Sequence, residues 1–365
     1  MKHESILDGY DLAFYQLSNK KRVGRRDGPD RRVGEAESMR AMINSVAVIG
    51  AGYMGGGIAQ TLAASGMSVT LADASPETTA KALVRLLAEA KAFEAQGLFP
   101  AGAADAIAAN LRTADSIEDA VREVDFIEEA VFEVPAVKHE VLRRISAAAR
   151  PDAIIGTNTS TLPVAVLAPA VERPERFLTV HFSNPAPFIP GVELVAGVDT
   201  DPAVIPVVKE MLARVRRSSA QVADTPGFVL NRLQYVLLKE SNAIVEEGIA
   251  TAEDVDTIVR TTFGFRLPFF GPFAIADMAG LDVYANCFKT FEDAFGARFA
   301  TPVLLSTMVA EGKHGLKNGA GFYGTFDESM AAEIVAYRNK AYARMAQLLE
   351  ELGPSPFEKQ AARTG

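Results

Sequence analysis

The stretch SVAVIGAGYMGGGIAQTLAASGMSVTLAD, residues 45–73, restricts the possible folds more than any other part of the chain. Its apolar run at 46–49 is short enough to be a strand buried on both faces. Gly50, Gly52 and Gly55 follow in the order G-x-G-x-x-G, and a helical pattern runs from 54 to about 65, with Gly66 as its stop. A second apolar strand at 69–72 ends in Asp73. Each glycine has a distinct physical use. Gly50 permits a tight turn, Gly52 lets a pyrophosphate approach the backbone, and Gly55 lets helix and strand pack closely. The helix start then offers unpaired N–H groups and the positive end of its dipole to phosphate. Asp73 suits the ribose hydroxyls and repels a 2′-phosphate, which favours NAD over NADP. Such a glycine spacing alone is a common loop, and Asp73 alone is a solvated strand end. Strand, helix and distant acid together make the dinucleotide reading the stronger one.

The alternation continues beyond Asp73. Ser75 is placed to cap a helix over 76–96 with Pro76 in its first turn, and Gly97 ends it. A second helix at 103–110 makes a projecting helical hairpin. Strands are expected at 111–113, 125–129 and 153–157, with a helix at 136–149 before the last of them. This βαβ order predicts a Rossmann-type doubly wound α/β sheet. From Pro226 the pattern turns helical, with helices expected over 227–249, 252–263, 273–295, 302–312 and 327–352. The expected divisions are a disordered tail at 1–41, a dinucleotide-binding domain at 42–224, a helical domain at 225–325, and a C-terminal helix and tail at 326–365. The basic run KKRVGRRDGPDRRVG at 20–34 is too poor in apolar residues to offset its ordering entropy.

Composition narrows the classes of function. A net charge of -9 argues against a general nucleic-acid surface. Cys287 is the single cysteine, which excludes an intrachain disulfide and reads as a small core side chain. Four histidines (His3, His139, His181, His314) make a metal cluster improbable, so no metal is expected. No apolar run approaches a membrane span and no signal peptide is visible, so a cytoplasmic protein is expected.

The chemistry is expected at the carboxyl ends of the strands. Glu133, Lys138 and the run Asn158-Thr159-Ser160-Thr161 fall there, although spacing alone supports equally a simple Glu133–Lys138 pair at a helix start. Ser160 is as readily an N-cap for a helix near Leu162. The strand FLTVHF at 177–182 carries His181, and the next apolar strand, 192–195, has Glu193 in its middle. A carboxylate in an apolar strand is costly unless paired, and His181 is the simplest partner. A carboxylate beside imidazole fixes its tautomer, as a general base requires. NAD would take hydride from carbon and His181 the proton from oxygen. Ser160 and Asn231 are candidate donors to that oxygen, though Asn231 alone would read as glue between helices.

Taken in order, GAGYMGGGIAQ (50–60), EAVFEVPAVK (129–138), NTST (158–161), HFSNP (181–185), VEL (192–194), DTPGFVLNRL (224–233), GPFAIADMAGLD (271–282) and GLKNGAGFY (315–323) resemble the 3-hydroxyacyl-CoA dehydrogenase family. The resemblance implies that His181 is the acid/base, that Glu193 orients it, and that Ser160 and Asn231 contact the substrate. It places NAD contacts on Gly50, Gly52, Gly55, Asp73, Glu133, Lys138 and Asn184, and implies a helical domain that forms a homodimer. The implied reaction oxidises the 3-hydroxyl of a 3-hydroxyacyl-CoA. HFSNP in place of HFFNP, LPFFGPF at 267–273 and the IPG before VELVAG look more like relatives acting on small CoA-free acids, the gulonate and pyridine-carboxylate dehydrogenases. The hairpin, where the family is expected to hold CoA phosphates, mixes Lys81, Arg85 and Lys91 with Glu89 and Glu94.

Overall fold

Strands such as SVAVI and SVTLA have no polar side to turn toward water, so they belong in the middle of a covered sheet. In the computed structural model, which describes residues 42–359, β1 (Ser45–Ile49) and β2 (Ser68–Ala72) are buried at every position after the first. The tail reading for 1–41 and the chain beyond 359 lie outside the described residues. The chain divides into two compact units, the first ending at Arg232 and the second beginning at Leu233.

The first unit runs β1, α1 (Tyr53–Ala64), β2, α2 (Pro76–Ala95), α3 (Ala103–Asn110), β3 (Leu111–Thr113), α4 (Ile117–Val121), β4 (Phe126–Glu129), α5 (Pro135–Ala148), β5 (Ile154–Thr157), α6 (Val164–Leu167), β6 (Phe177–Phe182), β7 (Gly191–Ala196), α7 (Val204–Arg214) and β8 (Ser218–Val222). Its sheet has the order β3-β2-β1-β4-β5-β6-β7-β8. Pairing is parallel from β3 to β6, β7 runs antiparallel to β6, and β8 follows β7. The order reverses between β1 and β4, where an open α/β sheet leaves its ligand crevice. Helices cover both faces, as the alternation of β and α predicts. One apolar layer centres on Ile58, Leu62, Leu71, Leu86 and Ile107, the other on Ile49, Ile127, Leu142, Ile145 and Leu167.

The division falls within α8 (Leu230–Glu246), whose first three residues belong to the first unit; the second continues with α9 (Ala252–Thr261), α10 (Phe263–Arg266), α11 (Pro272–Ala279), α12 (Leu281–Phe295), α13 (Val303–Ala310) and α14 (Glu328–Leu352). Its small core holds Leu281, Ala285, Leu305 and Met308. Buried Asp277 accepts hydrogen bonds from the amides of Phe322 and Tyr323, which fixes the short ladder of Ala320–Gly321 with Gly324–Thr325.

Several boundaries differ from expectation for identifiable reasons. The helix expected from Pro226 starts at Leu230, because Gly227 and Phe228 take positive φ (75° and 49°) and cannot begin a helix. The helix expected over 273–295 is two helices, broken at Gly280, whose φ is 105°. Ser160 does not cap the following helix. That helix starts at Val164, and Asp224 accepts its first amides, from Val164 and Ala165, at 2.8 and 2.9 Å. Cys287 is exposed rather than packed in a core. The Ser75 cap forms as expected, accepting from the Thr78 amide.

One buried group is unpaired. Glu128 on β4 is fully buried, neither carboxyl oxygen has a partner, and its carboxyl group lies over Gly156 of β5, whose space it shares with the Phe126 ring. Burial first, and the neighbouring Glu129 charge second, hold its pKa well above the usual carboxylate range, against the opposing pull of Lys138. The folded protein therefore keeps a proton that the unfolded chain releases, so Glu128 costs stability increasingly as pH rises above about 4.3. Glu128→Met is expected to raise Tm by several degrees at pH 7.5, with the gain shrinking toward pH 5. Parallel thermal melts across that range check this; a gain independent of pH contradicts it.

Candidate active site and dinucleotide crevice

The three glycines after β1 take the three uses their spacing suggests. Gly50 has φ 107°, and a Cβ there would lie 2.5 Å from the Ala130 carbonyl oxygen. A Cβ on Gly55 would fall 1.9 Å from the Gly50 oxygen, so helix and turn touch backbone to backbone. Gly52 has nothing within 4 Å of that position, which leaves the approach to the start of α1 open. That helix has no side-chain cap and no acid in its first turn. The Asp73 carboxylate sits across the turn, accepting from the amides of Ala51 and Ala74, both at 2.6 Å. Open amides, a close backbone approach and an acid at the neighbouring strand end fit a dinucleotide diphosphate and its adenosine ribose.

Glu133 draws together the loops after β4 and β5. One of its carboxylate oxygens accepts from the Thr159 hydroxyl (2.7 Å), the amides of Ser160 and Thr161 (2.8 and 2.9 Å) and the Thr161 hydroxyl (3.1 Å). Burial pulls its pKa upward, but the Thr159 hydroxyl, the Lys138 charge and those amides outweigh it and hold the pKa below its usual range. The simple Glu133–Lys138 pair is secondary, at 3.5 Å. Lys138 is 1% exposed and donates instead to Glu129 at 2.8 and 3.1 Å and to the Val131 carbonyl. Glu129 also accepts from the Thr157 hydroxyl at 2.6 Å. Lys138 thus lies beneath the crevice, where it fixes the loop carrying Glu133.

His181 and Glu193 are directly paired in the β6–β7 register, so both side chains emerge on the same face of the sheet. Nδ1 of His181 lies 2.9 Å from Glu193 Oε2, and the pair is buried. The other carboxylate oxygen accepts from the amides of Val229 and Leu230, each at 2.9 Å, at the start of α8. The turn through Gly227 and Phe228 delivers those amides, and the buried Phe228 ring lies 5.8 Å from the imidazole. Burial raises the Glu193 pKa, but the His181 hydrogen bond and the Leu230 and Val229 amides overcome it, so the carboxyl stays below its usual range. Nε2 of His181 has no hydrogen-bond partner among the described residues, which leaves that nitrogen free for chemistry.

Asn231 donates its side-chain N–H to the Ser160 carbonyl at 2.8 Å, bringing both expected substrate contacts together. Asn184 is exposed at the turn after β6. The sheet positions of Glu129, Thr157 and His181 share one face, so both carboxylate networks line the same side.

Four residues position the site in ways their sequence does not announce, although Asn158 belongs to the NTST run expected there. Glu129 carried the same signal as Glu193, an acid in an apolar strand, and was open to the same argument. Asn158 accepts the Phe182 amide at 2.8 Å and ties the NTST loop to the end of β6. Asp224 is the cap of α6 noted above. Arg217 follows Arg216, which has φ 56°, and donates to the carbonyls of Ala186 and Pro187 at 2.9 and 3.0 Å, clasping the turn beyond His181. No local pattern gives the positioning roles of Asn158, Asp224 or Arg217, because their partners are distant in sequence.

A glycine turn facing an acid-ended strand, beside a carboxylate-held imidazole, defines an NAD-dependent dehydrogenase acting on CH–OH. Residues 45–225 match the 3-hydroxyacyl-CoA dehydrogenase NAD binding domain, and 227–325 match the C-terminal domain of that enzyme. The chain belongs to the 3-hydroxyacyl-CoA dehydrogenase family. It is 32% identical over 310 residues to 5-formyl-3-hydroxy-2-methylpyridine 4-carboxylate 5-dehydrogenase of Mesorhizobium japonicum, covering 85% of this chain and 99% of the relative. It is 30% identical over 286 residues to 3-hydroxybutyryl-CoA dehydrogenase of Bradyrhizobium diazoefficiens, covering 78% and 96%. The crystal structure of a 3-hydroxyacyl-CoA dehydrogenase from Archaeoglobus fulgidus superposes with a TM-score of 0.68 at 31% identity, covering 85% of this chain and 99% of that one.

Glu193→Gln keeps the shape of the side chain but removes its charge. Turnover is expected to fall by roughly 10²–10⁴-fold with NADH affinity little changed. Because the Glu193 pKa is depressed, its stabilisation is present above about pH 4.3 and lost as pH falls through the lowered value. The variant should therefore melt below the parent at pH 7, with the difference closing on acidification. Equal melting at pH 7 contradicts the charge-paired role.

Proposed function

We propose that the protein oxidises the 3-hydroxyl of a 3-hydroxyacyl-CoA to the 3-keto form, reversibly, with His181 as the acid/base. The observation that carries this reading is the His181–Glu193 contact of 2.9 Å, with the second Glu193 oxygen held by two amides. Bound NAD supplies the hydride acceptor. Gly50, Gly52, Gly55 and Asp73 would hold its diphosphate and adenosine ribose, and Glu133 and Asn184 would contact the nicotinamide half, with buried Lys138 acting only through the loop that carries Glu133. Nε2 of His181 takes the hydroxyl proton while Glu193 stabilises the imidazolium that forms. Ser160 and Asn231 donate to the oxygen, where charge develops.

A second reading rests on a specific observation. The cations of the hairpin that would meet CoA phosphates are largely neutralised within α2: Lys81 pairs with Glu77 at 2.6 Å and Arg85 with Glu89 at 3.0 Å. That favours the same chemistry on a CoA-free hydroxy acid or hydroxymethyl aromatic carboxylate. Following NADH absorbance with 3-hydroxybutyryl-CoA and a panel of free hydroxy acids separates the two; turnover of neither class contradicts both. His181→Ala should abolish turnover in either case and leave NADH binding intact, and retained turnover removes its assigned role.

A cytoplasmic homodimer completes the proposal. Among the described residues no helix is long and apolar enough to cross a membrane. On α8, Leu233, Val236 and Leu237 are 55%, 58% and 40% exposed and share one side at spacings of three and four, an apolar stripe suited to a second copy. Val236→Glu should convert a dimer to a monomer in light scattering; a wild-type protein that is monomeric at micromolar concentration refutes the interface.

A further inference from the structure

Arg85 on α2 is a residue that the catalytic reading leaves without a task. Its Nη2 donates to the carbonyl of Ala51, inside the glycine turn, at 3.1 Å. The same nitrogen lies 3.2 Å from where a Cβ on Gly56, in the first turn of α1, would sit. Its Nη1 donates to both oxygens of Glu89, at 3.0 and 3.2 Å, and the side chains are 40% and 36% exposed. A guanidinium carries five N–H donors. The remaining Nη2 hydrogen and Nε–H have no acceptor among the described residues. Beside them, the first intrahelical bond of α1 runs from the Gly56 amide to Gly52, so the amides of Tyr53, Met54 and Gly55 have no acceptor within the helix.

We propose that Arg85 is a cofactor-binding residue that grips the diphosphate of NAD at the rim of the glycine turn, with Glu89 as the counter-ion that limits the grip. Anchoring the Ala51 carbonyl uses one donor and holds the planar fork over the turn. A diphosphate carries more charge than the Glu89 carboxylate and matches the free donors of the fork, so it competes for the same guanidinium. Glu89 keeps the empty rim close to neutral and weakens retention of the product nucleotide. The two side chains therefore act in opposite directions on one affinity, which a purely structural clamp on Ala51 would not do.

Calorimetric titration of the full chain with NADH, ADP-ribose and adenosine tests this. Arg85→Met is expected to weaken NADH and ADP-ribose about tenfold, to leave adenosine unchanged and to flatten the salt dependence of NADH binding. Arg85→Lys should recover part of the loss as a point charge. Glu89→Gln should tighten NADH and ADP-ribose by roughly two- to fivefold. The proposal fails if both substitutions weaken binding, if adenosine weakens as much as ADP-ribose, or if nucleotide affinity stays constant while only a substrate KM moves.

Discussion

A carboxylate in the middle of an apolar strand has to be matched on both oxygens, and Glu193 is matched only when three distant pieces of chain meet. His181 reaches one oxygen because β6 and β7 pair in one particular register. The amides of Val229 and Leu230 reach the other because the backbone at Gly227 and Phe228 turns left-handed just before α8. A slip of one residue between β6 and β7 would send the imidazole and the carboxylate to opposite faces. The charge that catalysis needs is thus also what specifies the local fold.

The same logic recurs at the neighbouring strand ends. Glu129 is satisfied by Lys138, Thr157 and the Val131 amide. Glu133 is satisfied by the NTST loop. In each case a carboxylate gathers backbone amides and hydroxyls from loops that the sheet alone would leave loose, so that the ligand crevice is preorganised rather than formed on binding. Glu128, one residue from Glu129 but on the other face, has none of this, and its burial holds its pKa well above the usual carboxylate range. Adjacent acids on one strand therefore differ in whether they find partners, set by the side of the sheet each one meets.

Much of this was legible in the sequence because its signals are local. The glycine turn with its acid, the capping Ser75, the βαβ order and the cost of an acid inside VELV each follow from a few neighbouring residues. The parts that were not legible depend on residues far apart. Asp224 replaces Ser160 as the cap of α6 from across the unit, and Arg217 reaches the Ala186 and Pro187 carbonyls from the turn before β8. The breaks at Phe228 and Gly280 are backbone conformations that helix periodicity does not register. The strand β8, SSAQV, is largely exposed or half-exposed and lacks an apolar run to mark it.

The arrangement requires one tautomer of one ring. With Glu193 ionised and 2.9 Å from Nδ1, the neutral imidazole of His181 carries its proton on Nδ1, and Nε2 is its bare nitrogen. Nitrogen-15 NMR of the imidazole at neutral pH reads this directly. The expected spectrum has a protonated Nδ1 with a downfield proton resonance that is lost in Glu193→Gln, and an Nε2 shift typical of a bare nitrogen. A neutral ring protonated on Nε2 would contradict it.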